Sequence, residues 1–277
     1  MTDTGSATAG VQTRAIARHA PAGTVHADTW GIAVEAPVAI TINETPWTVM
    51  LATPADLEDL AIGLAITERI VPHVAAIVGI QLSEALGEYT VQLTVDATRL
   101  DTNALRARSL LGNTGCGLCG IESLAALHAR RTESLSVKVV EDPAIHRALR
   151  ELAAHQPLNA ETHSVHVAAW CTMEGEIVLV REDVGRHNAL DKLVGAVLRA
   201  ASAQAPGFVL MSSRCSYELV YKAAALEAQL LATISAPTTM ALTWAHELGV
   251  PLVSTMGRGD ALEIVRFPHE ATVADHV

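Results

Sequence analysis

The sequence predicts an α/β protein (α+β overall): a small N-terminal α/β domain, then a larger domain whose mostly parallel sheet is covered on both faces. Two observations carry this. From about residue 135 onward, short apolar runs alternate with amphipathic stretches of helical period, the pattern of right-handed βαβ units. Before that point the runs are fewer, and they alternate apolar and polar residues like half-buried antiparallel strands. At 277 residues the chain is long enough for two ordinary domains and a sizeable core. The expected divisions are a mobile tail over 1–25, an N-terminal α/β domain over 26–132 and a second domain over 133–277.

Taken in order, residues 1–25 are rich in Ala, Thr, Gly and His with little apolar period, hence the reading as a tail. "GIAVEAPVAITINETPWTVMLAT" predicts a hairpin turning at Asn43 and Glu44. Pro54 and Asp56 open a helix, "ADLEDLAIGLAITERI", with Leu57, Leu60, Ala61, Leu64 and Ile70 near a 3.6-residue period. "YTVQLTV" over 89–95 is a strand, and "IESLAALHARR" reads as a short amphipathic helix after a glycine-rich segment. Strands are expected at 137–140, 165–170 and 177–180. After "EIVLV" come helix "NALDKLVGAVLRA", strand "FVLMS", helix "SYELVYKAAALEAQ", strand "LLATIS", helix "TTMALTWAHEL" and strand "PLVSTM".

Composition narrows the function. Half the residues are apolar, 18% are charged and the net charge is −11, with no basic stripe, so a nucleic-acid partner is not expected. No uninterrupted run of about 18 apolar residues occurs, so no membrane span is expected. The polar start "MTDTGSATAG" lacks a signal-peptide pattern, which points to the cytoplasm. There, Cys116, Cys119, Cys171 and Cys215 would stay reduced. The apolar fraction leaves room for a homodimer.

In the second domain each expected parallel strand runs into polar or flexible residues. "IVLV" leads to Arg181, Asp183, Arg186 and His187; "FVLM" to Ser212, Ser213 and Arg214; "LLATI" to 235–239; "LVSTM" to Gly257, Arg258, Gly259 and Asp260. Such positions lie side by side along the carboxyl edge of an α/β sheet, beside helix N-termini that favour anions. Arg181, Arg186, Arg214 and Arg258 are therefore expected to converge on a bulky, phosphorylated ligand.

"GNTGCGLCG" over 112–120 holds the C-x-x-C pair Cys116 and Cys119 among four glycines. Three chemistries fit. A structural zinc needs four ligands, and only distant His163 and His166 could complete the set. A thioredoxin-like redox pair would sit between a strand and a helix, in a less flexible turn. A nucleophilic or carrier thiol suits a mobile glycine loop near a helix N-terminus at about Ile121, where the thiolate is favoured. Cys171 and Cys215 read as packing residues.

Several segments together resemble the FdhD/NarQ family of formate dehydrogenase accessory sulfurtransferases. They are "ATPADLEDLAIG" (52–63), "GNTGCGLCG" (112–120), "REDVGRHNALDKLVG" (181–195), "SSRCSYELVYKAA" (212–224), "SAPTTMA" (235–241) and "GRGD" (257–260). The resemblance spans about residues 30–268. It implies a cytidine deaminase-like, three-layer second domain that binds the guanine-nucleotide part of a molybdenum (or tungsten) bis-guanine-dinucleotide cofactor. It implies that sulfur from a cysteine desulfurase travels as a persulfide on Cys116, with Cys119 as its partner, to that cofactor before formate dehydrogenase receives it. Thr255, Met256, Gly257, Arg258, Gly259 and Asp260 would contact the cofactor. Deaminase chemistry is not expected despite the fold, because H-x-E and P-C-x-x-C are both absent. The family's usual Gly-Gly before a histidine, here His166, is replaced by His163 and Ser164, and His163 is expected to face solvent.

Overall fold

The computed structural model describes residues 10–21, 23–102, 138–200, 205–257 and 261–267. They form three sheets. The first is a two-stranded hairpin of β1 (Val11–His19) and β2 (Val25–Ala33). The residues read as a mobile tail are therefore, from Val11 onward, a paired strand. The hairpin is anchored by Trp30, whose Nε1 donates to Thr162 O at 3.4 Å and whose ring packs on His163 at 5.4 Å between centroids. That anchoring is tertiary, so no local apolar period announces it.

The second sheet has the order β4-β3-β6-β5, from β3 (Ala36–Ile42), β4 (Thr45–Ala52), β5 (Ile77–Ala85) and β6 (Glu88–Val95). The expected hairpin forms at Asn43 and Glu44, which take φ of 47° and 67°, the left-handed pair that a tight two-residue turn requires. Asn43 also exchanges hydrogen bonds with Val95, donating from Nδ2 and accepting at Oδ1, which prolongs the β3–β6 pairing beyond its last rung. The inward face of this sheet (Val38, Ile40, Ile42, Val91, Leu93) packs on α1 (Leu57–Thr67). β5 escaped the sequence reading because most of its residues are exposed.

The third sheet has the order β12-β11-β10-β9-β7-β8, from β7 (His166–Thr172), β8 (Ile177–Asp183), β9 (Gly207–Met211), β10 (Leu231–Thr233), β11 (Leu252–Met256) and β12 (Glu263–Phe267). β9, β10 and β11 pair in parallel, while β7 is antiparallel to both β8 and β9, and β12 to β11. Four of the six strands thus point the same way. The reading of a simple run of βαβ units is corrected in one place: β7 is inserted between β8 and β9, so the crossover from β8 passes over it. The strand expected at 137–140 is absent over 138–140; those residues lead into α2 (Asp142–Glu151), which starts with Pro143 in its first turn.

Helices cover both faces of this sheet. α4 (Arg186–Arg199), α5 (Tyr217–Ala224) and α6 (Thr239–Leu248) pack with Trp170, Val209, Met211, Leu231 and Leu252. On the other face α2 sets Ala144, Ile145 and Ala148 against Val167, Ala169, Phe208, Leu210 and Val253. The alternation of Val167, Ala168, Ala169 and Trp170 between these two clusters is the period-2 pleat. A short helix, α3 (Pro157–Thr162), precedes β7. Its left-handed C-cap is His163, φ 53°, a conformation glycine adopts without strain and that is here held by the Trp30 contact.

Candidate functional site

α4 is buried on nearly every side, including Asp191 and Lys192, because α1 covers the face that the sheet does not. The two helices cross where Gly63 faces the Asp191 carbonyl and Gly195 faces the Asp59 carbonyl, so close that a Cβ at either glycine would clash with backbone. This crossing brings the segments 52–63 and 181–195 together, and most of their charges are used there.

Asp183 is fully buried. Its Oδ2 accepts from Thr53 N at 3.0 Å and pairs with Lys192 Nζ at 2.7 Å, and its Oδ1 accepts from Gly185 N and Asn188 Nδ2. Lys192 donates further to the carbonyls of Thr53 and Glu182. Arg181 donates twice to Asp59 Oδ2, at 2.9 and 2.6 Å, while Arg199 holds Oδ1 of the same carboxylate at 2.8 Å. Lys222 grips Asp191 at 2.7 and 2.8 Å beside Thr67 Oγ1. Glu182 accepts from the first N–H groups of α3, Leu158 and Asn159, although burial pushes its carboxyl above the usual range. These groups form a seam between the four-stranded sheet with α1 and the six-stranded sheet with its helices. Arg181 and Asp183 belong to that seam rather than to an anion site. Their commitments are to partners 122 and 130 residues distant, which no local spacing reveals.

The carboxyl edge of the large sheet is built differently. Because β7 runs against its neighbours, its first residue, His166, joins the ends of β8 and β9 there, at the point where the β8 crossover steps over it. Around it, Arg186 Nε, His187 Nε2, Ser216 Oγ and Glu218 Oε2 are all buried without a hydrogen-bond partner. Arg186 and His187 are the first two residues of α4, whose N-cap Gly185 supplies no side-chain cap. Ser216 and Glu218 stand at the start of α5. Burial, then Arg186 and His187, lowers the affinity of His166 for a proton. Burial works against the charge on Glu218, but neighbouring His187 and Ser216 more than offset it and hold the carboxyl below its ordinary range. Uncompensated buried polar groups are costly and rare, and their clustering at the edge where α/β sheets meet ligands makes this the candidate site for a polar partner.

Neighbouring loops are fixed in place. Ser212 pairs with Val167 through both its N–H and its Oγ, Thr238 N donates to Cys215 O, and Ser254 and Thr233 both bond Ser235 O. Ser213 is buried and Arg214 exposed on this rim. Thr255, Met256 and Gly257 end β11 on the same edge, with Met256 59% exposed and Gly257 at φ 85°. Arg258, Gly259 and Asp260, like Cys116 and Cys119, lie outside the described residues. The structure thus places Arg186, His187, Ser213, Arg214, Thr255, Met256 and Gly257 along one edge. Sequence reasoning missed Ser216 and Glu218; the signal available was a short polar residue and a carboxylate opening a helix directly after a strand end.

Cys171 and Cys215 are buried, and burial pushes both thiols up to about 12, with Glu151 and Glu218 respectively adding to the effect. Neither is a thiolate near neutral pH. A cavity of about 590 Å³ opens at the C-terminal ends of α1 and α5, among Ile66, Arg69, Ile70, Pro72, Leu100 and Ala225. It lies at the opposite end of α5 from Glu218 and belongs to a different region. No helix among the described residues is long and apolar enough to cross a membrane.

Comparison with known proteins agrees with the segments quoted from the sequence. Residues 33–270 match the FdhD/NarQ family model. A sulfur carrier protein FdhD of Variovorax paradoxus is 44% identical over 237 residues, 86% of this chain and 85% of that protein. Its counterpart in Chromobacterium violaceum is 44% identical over 257 residues, covering 92% and 95%. A solved structure from Desulfotalea psychrophila, assigned as a formate dehydrogenase accessory protein, shares the fold with a TM-score of 0.69 at 21% identity, covering 93% of this chain and 97% of that one. The chain belongs to the FdhD/NarQ family.

Proposed function

We propose that this protein is a sulfur carrier, and a sulfurtransferase, for the maturation of formate dehydrogenase in the cytoplasm. In this reading a cysteine desulfurase presents a persulfide, and the Cys116 thiolate attacks its terminal sulfur. The desulfurase S–S bond breaks, its thiolate leaves, and Cys116 carries the persulfide, with Cys119 as its partner. The substrate that receives the sulfur is the molybdenum (or tungsten) bis-guanine-dinucleotide cofactor. Delivery regenerates the Cys116 thiolate, and the two electrons that turn the neutral sulfur into sulfide come from the metal. The sulfurated cofactor then passes to the formate dehydrogenase catalytic subunit.

The observation that carries this reading is the cluster of buried, unpartnered polar atoms at the carboxyl edge, in a chain of this family. Arg186, the N–H groups opening α4 and Arg214 suit a pyrophosphate, and Thr255, Met256 and Gly257, continued by Arg258, Gly259 and Asp260, suit the rest of a dinucleotide. Burial of Cys171 and Cys215 leaves Cys116 and Cys119 as the thiols fit for transfer. Incubation with a desulfurase and cysteine, followed by peptide mass mapping, is expected to add one sulfur to Cys116, and Cys116→Ala to abolish maturation of formate dehydrogenase. Full maturation by a variant lacking both loop cysteines would mean that the protein shields the cofactor rather than sulfurating it.

A further inference from the structure

Glu218 has a place in the site that neither the family match nor the motif spacing assigns. Its side chain is 8% exposed, and its Oε2 lies 3.9 Å from Nε2 of His187, whose side chain is 20% exposed. Both atoms are buried and neither is within hydrogen-bonding distance of a partner. They come from the first turns of two different helices, α4 and α5, which follow β8 and β9. A gap of this size is longer than a hydrogen bond. Side-chain hydrogen bonds of this kind are often long before a ligand binds and tighten afterwards.

We infer that Glu218 is a positioning residue for His187: it takes the ring's Nε2–H as a hydrogen bond and so leaves Nδ1 as an acceptor for an O–H or N–H group of a nucleotide bound at the start of α4. The inference rests on the ligand reading under Proposed function. It explains why a carboxylate stands at an edge otherwise suited to anions, where a ligand-facing carboxylate would repel phosphate. Turned toward His187, it supplies the countercharge that orients an imidazole, as carboxylates do for histidines at metal and acid–base sites. Arg186 on α4, His166 at the start of β7 and Asp183 at the end of β8 lie near His187, and the Cys215 thiol lies near Glu218. Asp183 is engaged by Lys192, whereas the basic group facing Glu218 is His187.

The test uses the whole protein with guanosine diphosphate and inorganic pyrophosphate as probes, by calorimetry. His187→Gln and Glu218→Gln are each expected to weaken guanosine diphosphate roughly ten-fold, leaving pyrophosphate binding unchanged and the thermal midpoint retained. The double variant is expected to be no weaker than His187→Gln alone, because Glu218 acts through His187. Losses that add, or unchanged affinity in Glu218→Gln, overturn the inference. Nitrogen-15 spectra of the ligand-free protein supply a second readout. They are expected to show the proton of His187 on Nε2 in the wild type and redistributed toward Nδ1 in Glu218→Gln, and an unchanged tautomer overturns the positioning role. Should the wild type bind neither probe, the ligand reading fails, while the spectra still decide the pair.

Discussion

The seam between the two sheet units and the carboxyl edge of the larger one are drawn from the same stretch of sequence, yet they treat charge in opposite ways. Along the seam Asp59, Asp183, Asp191, Arg181, Lys192 and Lys222 all have close, opposite partners. A few residues further along the same strands and helices, Arg186, His187, Ser216 and Glu218 keep buried polar atoms without any. A charge taken from water must be compensated by something. In the seam the compensation is already present, so these charges fix geometry; at the edge it is incomplete, and the proposed ligand would supply the rest. Residue type alone does not separate the two roles. Arg181, near the end of β8, and Arg186, the first residue of α4, are only five positions apart, and they fall on opposite sides of the division.

The sharpest way to break that division is to remove a seam cation. Lys192→Met strands the fully buried carboxylate of Asp183, and about 3–5 kcal/mol of stability should be lost in denaturant unfolding. Retained stability would mean that the pair is not structural. Gly195→Ala drives a methyl into the Asp59 carbonyl at the α1–α4 crossing. It should cost about 1–3 kcal/mol, and a neutral result would show that the helices can separate freely.

A smaller effect concerns pH. Burial lowers the proton affinity of His166 in the folded state relative to its ordinary value of 6.5. The unfolded chain therefore binds more protons between the two values, and stability falls as pH drops from about 6.5 toward the folded value. His166→Gln should flatten that part of the stability profile; an unchanged slope would assign it to other groups. Smallest of all, Arg214→Ala on the exposed rim should leave stability within about 0.5 kcal/mol while weakening guanosine diphosphate. A loss of stability there would move Arg214 to the seam's side of the comparison.

Much of this arrangement was legible in the sequence. The hairpin at Asn43 and Glu44, the helix from Leu57, and the strand–helix alternation that builds the edge are local patterns, and local patterns survive in a single sequence. β1 and β2 were not legible, because Trp30 and α3 hold them from outside. Nor was the insertion of β7 between β8 and β9, since pairing order leaves no trace in spacing. Of the site, Arg186, His187 and the end of β11 could be placed from the rule that ligands meet strand ends. The diversion of Arg181 and Asp183 depends on Asp59 and Thr53, residues more than a hundred positions away.

The most direct measurement compares Arg181, near the end of β8, with Arg186, the first residue of α4. Guanosine diphosphate affinity and thermal stability are measured for Arg181→Gln and Arg186→Gln, side by side. The account predicts that Arg186→Gln loses affinity roughly ten-fold with its thermal midpoint intact, and that Arg181→Gln loses about 1–2 kcal/mol of stability with its affinity intact. Equal affinity losses, or the reverse pattern, would contradict the division between seam and site.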